Sequence, residues 1–81
     1  MPFYIFQWTE EALEHIAQHG ITRDEFTEIV ERVGAQTVSR SSGLPMAFGQ
    51  TSTGKYIGCI WQPIDEVEII PVTAFESPEP R

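Results

Sequence analysis

The spacing of apolar residues changes at Gly34, and that change constrains the fold more than any other feature. From Glu10 to Gly34 the apolar residues recur with a helical period, and from Ala35 onward they form extended runs separated by turn residues. The length of 81 residues suits one domain. The sequence therefore predicts a single α+β domain over residues 1–76, followed by a flexible, proline-containing tail over residues 77–81.

Two helices are predicted in the first part of the chain, each with its own end signals. Thr9 can cap a helix over residues 10–19, which has acidic residues in its first turn, and Gly20 follows where a left-handed residue is favoured. Thr22 and Glu25 have the spacing of a capping box for a second helix. Apolar residues at i, i+3, i+4 and i+7 give that second helix one buried stripe.

One strand is predicted before the helices and four after them. Short distances between turn clusters favour an antiparallel meander for the last four strands. The predicted strands cover residues 3–8, 36–40, 45–50, 56–62 and 67–75. Pro71 has no amide hydrogen, so it must lie at a sheet edge, at a bulge or where the missing donor faces away.

Alternation in the fourth strand predicts which face of the sheet is the core. Ile57, Cys59 and Trp61 share one face and are interpreted as core residues, whereas Tyr56 and Ile60 share the other. Two helices can cover one face of a twisted sheet, so the opposite face is predicted to be partly open and concave. A functional site is expected on that open face.

The charge balance restricts the classes of partner. Twelve acidic and five basic residues give a net charge of −7, which disfavours RNA, the ribosome and anionic lipid as partners and suits a basic one. The acidic residues along the outer sides of the helices are either a solvated face or a docking surface for such a partner. They are Glu10, Glu11, Glu14, Glu25, Glu28 and Glu31.

The cysteine count and the first residues predict a cytoplasmic protein. Cys59 is the only cysteine, so neither an intramolecular disulfide nor a four-thiolate metal site can form. The chain opens without a basic n-region, and no apolar run is long enough to span a membrane. Neither a membrane nor a cofactor is expected.

A row of potential metal ligands lies on one side of the first predicted helix. Glu11, His15 and His19 are spaced four residues apart, and such a row can bind Zn²⁺. A catalytic zinc needs a further ligand arrangement that the sequence does not offer. We therefore predict no metal site, and interpret His19 as a partner of the helix dipole.

Several segments together resemble the BrnT-type branch of the RelE/ParE toxin superfamily. They are the opening Phe6-Gln7-Trp8-Thr9, the first helix ending in His19-Gly20, the second capped helix, and a "G-x-T-x-x-G-[RK]" hairpin that reads Gly49-Gln50-Thr51-Ser52-Thr53-Gly54-Lys55. The resemblance spans residues 3–75. It implies a ribonuclease or growth-inhibiting toxin that a tightly bound small antitoxin neutralises.

The resemblance also suggests which residues would cleave RNA without a metal. Such cleavage needs a base, a cation on the phosphate and a proton for the leaving oxygen. Arg40 could clamp a phosphate, Lys55 or His19 could move a proton, and Tyr56 could stack on a base or donate a hydrogen bond. The structural alternatives are solvated Arg and Lys side chains beside turns and a half-buried tyrosine.

Five aromatic residues have two interpretations. Trp8, Trp61, Phe3, Phe48 and Phe75 could form a platform for single-stranded RNA, but their period on strands favours core positions.

The favoured function is a toxin-type protein that acts by binding a small antitoxin-like protein. Two features weaken the case for ribonuclease activity: the acidic charge of the chain, and the expectation that no basic helix follows residue 75. The alternative is a stand-alone, non-catalytic interaction or ligand-binding module. Self-association of the chain is a further option.

Overall fold

The computed structural model describes residues 4–77, and these form two helices and a five-stranded sheet. In chain order the elements are β1 (Ile5–Phe6), α1 (Glu10–Gln18), α2 (Arg23–Val33), β2 (Thr37–Val38), β3 (Pro45–Gln50), β4 (Tyr56–Pro63) and β5 (Glu68–Glu76). The α+β class predicted from the sequence is confirmed. No helix within residues 4–77 is long and apolar enough to cross a membrane.

The sheet is mixed and has the strand order β1-β5-β4-β3-β2. Strands β2 to β5 form the predicted antiparallel meander, but β1 adds a fifth strand that runs parallel to β5, with Ile5 opposite Glu68. The prediction of a four-stranded antiparallel sheet is corrected accordingly. Turn signals describe only neighbouring strands, so they carried no information about a pairing between the two ends of the chain.

The capping signals of both helices are confirmed. Thr9 Oγ1 accepts a hydrogen bond from the Ala12 amide at 3.0 Å. In the capping box, the Thr22 hydroxyl accepts from the Glu25 amide at 3.2 Å and the Glu25 carboxylate accepts from the Thr22 amide at 2.9 Å. Helix α1 ends one residue before the predicted end, and Gly20 follows with a φ of 72°. The helix ends are therefore fixed by local chemistry.

Both helices pack on the same face of the sheet and enclose one core. The predicted core positions Ile57, Cys59 and Trp61 are at most 2% exposed. Their neighbours in the core are Ile16, Ile21, Phe26, Ile29, Val30, Ala47, Ile69 and Ala74. Burial raises the pKa of the Cys59 thiol to about 12, so this thiol stays protonated at neutral pH.

Four of the five aromatic residues considered as a platform belong to the described part of the chain, and they are divided between the two faces of the sheet. Trp61 is buried in the core, and Trp8 packs against the core with its ring 5.2 Å from that of Phe26. Phe48 and Phe75 lie instead on the face without helices, in contact with each other. Phe3 lies outside the described residues. A common platform of the described four is therefore excluded.

The first and second strands are shorter than predicted, at two residues each. The strand predicted over residues 36–40 is reduced because the Gln36 side chain, rather than a longer strand, accepts from the Phe48 amide at 2.9 Å. Ser39 then begins a turn by donating its amide hydrogen to Leu44 O at 2.8 Å. Arg40 consequently lies in this turn and not at a strand end.

Pro71 lies at a bulge in β5. Trp61 pairs with Pro71 while Ile60 pairs with Thr73, so Val72 is the extra residue. The Gln7 amide donates to Ile69 O at 2.8 Å, and strand alternation directs the Pro71 nitrogen to the same side, beyond the end of β1. The missing donor therefore costs no ladder hydrogen bond, which resolves the alternatives left open by the sequence.

The last strand ends one residue beyond its predicted end. Glu76 is the last residue of β5, and the Ser77 amide donates to Tyr56 O at 2.9 Å. The remainder of the predicted tail, residues 78–81, lies outside the described residues.

Candidate functional site

The sheet face opposite the helices, called the open face below, is covered by no element within residues 4–77. Strand pairing places side chains of β3, β4 and β5 side by side there, for example Met46 with Ile60 and Thr73. The side chains of the open face are mostly apolar and half-buried by one another. They include Met46, Phe48, Tyr56, Ile60, Ile70, Thr73 and Phe75. This position agrees with the open face expected from the sequence.

Three aromatic rings form a cluster at one end of the open face. Tyr56 and Phe48 are stacked with centroids 6.3 Å apart, and Phe48 meets Phe75 edge to face at 6.0 Å. Gly58 lies beneath two of these rings, since a Cβ there would come within 2.7 Å of Phe48 and 2.8 Å of Phe75. The glycine in the middle of β4 therefore allows the rings to lie against the sheet.

The open face is almost without charge. Along β1 and β3 to β5, Glu68 is the one charged side chain that alternation directs to this face, and its carboxylate accepts from Gln7 Nε2 at 3.1 Å. Lys55 and Glu76 alternate to the side of the helices. The acidic character of the chain is thus concentrated away from the open face.

The hairpin between β3 and β4 is tied to α2 by a buried carboxylate. Glu25, which is 5% exposed, accepts from Thr53 Oγ1 at 2.5 Å and forms an ion pair with Lys55 at 3.3 Å. Lys55 also donates to Gly20 O. Burial acts to raise the pKa of Glu25, but the hydrogen bonds from Thr53 and Thr22 and the charge of Lys55 hold it below its ordinary value.

A second acid of α2 holds the tip of the same hairpin. Glu28 accepts hydrogen bonds from the Ser52 amide at 3.0 Å and from the Ser52 hydroxyl at 3.2 Å. Arg32 pairs with Glu28 at 3.6 Å and also donates to Gln50 O. Residues of the "G-x-T-x-x-G-[RK]" pattern therefore hold the hairpin between β3 and β4 in contact with α2. The sequence did not identify Glu25 and Glu28 as the partners of these residues.

The structure brings together only part of the predicted catalytic set. His19 follows α1 and is adjacent to Gly20, whose carbonyl binds Lys55, so His19 and Lys55 lie at the same end of the molecule. Tyr56 begins β4 at that end but faces the open side. Arg40 lies in the turn before β3, and β3 spans about 17 Å between that end and the end that pairs with Tyr56. The catalytic roles of these four residues remain predictions.

The predicted absence of a metal site concerns the row Glu11, His15 and His19. Glu11 and His15 line one cleft beside α1, and His19 is not among the lining residues. Within residues 4–77 no group of three or more His, Cys, Asp or Glu side chains could hold a metal ion.

Taken together, the fold defines an α+β protein whose mixed sheet is covered by helices on one face and bears an apolar open face on the other. No family model matches the sequence, and no curated protein sequence matches it. Among solved structures, the crystal structure of the Brucella abortus ribonuclease toxin BrnT is similar, with a TM-score of 0.67 over 98% of this chain and 100% of that chain. The two sequences are 18% identical. The chain therefore shares its fold with that protein.

Proposed function

We propose that this chain is a toxin-type protein that acts through protein binding, and that a small antitoxin-like protein covers its open face. The observation that carries the proposal is the uncovered apolar surface of Phe48, Tyr56, Ile60 and Phe75, which bears almost no charge. Aromatic residues and methionine are enriched in the cores of protein interfaces, and charged residues are depleted there. The fold of the BrnT ribonuclease toxin supports the toxin-type assignment.

Along the outer side of β3, side chains disfavour a partner that would add a strand there. On the outer side of β3, Gln36 Oε1 accepts from the Phe48 amide and Arg32 donates to Gln50 O. These side chains occupy backbone groups that an added strand would need. Removing apolar surface of the open face from water would contribute about 2.5 kcal/mol per 100 Å².

Co-expression with the product of the neighbouring gene tests this proposal. We expect a short protein that co-purifies with the chain and whose affinity falls about tenfold or more with Ile60→Asp, because the charge would be buried in the interface. Val38→Asp is the matched control, since Val38 is 59% exposed and its pairing with Pro45, which shares a face with the buried Ala47, directs it to the helix side of the sheet. A lone gene, or equal effects of the two variants, would favour a stand-alone interaction or ligand-binding module.

Ribonuclease activity is the second candidate, and the accessible aromatic cluster favours it because bases stack on such rings. Against it, Lys55 is engaged by Glu25 and Gly20, and Arg40 lies at the far end of β3. The test is growth of cells that express the folded chain, with Tyr56→Ala and Arg40→Ala as variants. Growth arrest relieved by either variant would support catalysis, whereas unimpaired growth with the parent chain would argue against it.

A further inference from the structure

A cleft of about 290 Å³ lies between α1 and the bulged part of β5. Its apolar floor is lined by Ala12, Ile70, Pro71 and Val72. The exposed residues Glu11 and His15 lie on its rim. The cleft exists because β1 ends at the level of Ile69, so the following part of β5 has α1 and no strand beside it. The complete lining is Thr9, Glu11, Ala12, His15, Ile70, Pro71 and Val72.

The charges around the cleft differ from those of the second helix. Within residues 4–77, ion pairs with Lys55 and Arg32 neutralise two acids of α2, Glu25 and Glu28. No ion pair in the same part of the chain neutralises an acid of α1. The row of acidic residues in the sequence is thus divided into acids that stabilise the fold and acids, among them Glu11, whose charge is available to a partner.

We propose that this cleft binds an arginine side chain of the partner protein. The aliphatic stem of arginine would lie on the apolar floor, and its planar guanidinium would reach Glu11, which can accept two parallel hydrogen bonds. The guanidinium also stacks well on a flat ring, and His15 offers one on the same rim. The combination of an apolar floor with an acidic rim fits this side chain better than a purely apolar or purely ionic one.

Ile70 lines the cleft, and its pairing with Gln62 directs its side chain to the open face, so the two surfaces adjoin at β5. A partner that covers the open face could therefore also place a basic residue in the cleft, because the open face and the cleft would belong to the same interface. The identity of the partner in this inference rests on the proposed function. Binding of an arginine-like side chain to the cleft, however, can be measured on this chain alone.

The test uses n-butylguanidinium as a probe on the full-length chain, followed by amide chemical shifts. We expect shifts that cluster at Ala12, His15 and Val72. Affinity should increase about two- to fourfold for each methylene from guanidinium to butylguanidinium, because the stem is buried on the cleft floor. Neutral n-butylurea, which has a similar shape, should bind more weakly.

The variant Glu11→Gln should weaken butylguanidinium binding about two- to fivefold, the range of an exposed ion pair. Glu31→Gln is the matched control on the exposed side of α2 and should leave the affinity unchanged. Equal affinity for guanidinium and butylguanidinium, shifts spread over both helices, or equal effects of the two variants would overturn the inference. Failure of co-purification together with intact probe binding would overturn only the proposed function.

Discussion

The two faces of the sheet differ in what holds their side chains. The helix side contains fully buried apolar residues such as Phe26 and Ile57. It also contains a buried carboxylate, Glu25, which connects α2 to the hairpin between β3 and β4. On the open face, aromatic and aliphatic side chains contact one another but remain accessible to solvent, and charge is nearly absent. The comparison indicates that the helix side supplies most of the stability of the domain and that the open face leaves apolar side chains accessible.

The largest expected effect tests the stability of the covered face. Phe26 is 0% exposed and contacts the rings of Phe6 and Trp8, so Phe26→Ala should lower the free energy of unfolding by about 3–5 kcal/mol. Urea unfolding measures this loss. Phe75→Ala on the open face is the matched control and should cost clearly less, and equal losses would contradict the assigned difference between the faces.

A smaller effect is expected from the ionic contact of the covered face. Glu25→Gln removes the ion pair with Lys55, whose side chain is 35% exposed, so a loss of about 1–3 kcal/mol is expected at neutral pH. Because folding lowers the pKa of Glu25, its contribution is present above the unfolded-state pKa and is lost as the pH falls through the folded-state value.

Urea unfolding of the parent and Glu25→Gln between about pH 7 and pH 3 measures this dependence. The difference between the two proteins should shrink toward the acidic end. Glu31→Gln, on the exposed side of the same helix, should follow the parent at every pH. A difference that persists unchanged in acid would show that the effect is not due to the charge of Glu25.

The smallest effect concerns the open face. Gly58→Ala places a methyl group under Phe48 and Phe75, and overpacking of this kind costs about 1–3 kcal/mol. We expect the lower end of that range because the rings can swing outward where no helix covers them. Near-ultraviolet circular dichroism should report the altered rings. Adding Phe48→Leu should recover part of the loss, and an additive result would indicate that the rings do not press on Gly58.

The sequence alone determined the features that depend on neighbouring residues. The caps at Thr9 and Thr22 and the buried positions Cys59 and Trp61 follow from spacings within a few residues, and the structure confirms them. The hairpin before Lys55 was predicted for the same reason. These signals are readable because the groups that satisfy one another are close along the chain.

Only the tertiary structure decided the contacts between distant segments. The parallel pairing of Ile5 with Glu68, the bond from Thr53 to Glu25 and the cleft between α1 and β5 join residues that are far apart in sequence. Strand pairing between distant segments depends on backbone groups that every residue carries, and Thr and Glu are common on solvated surfaces, so composition and spacing do not reveal these contacts. Which acids stabilise the fold and which remain available to a partner is therefore fixed by packing, because only packing determines which charges meet.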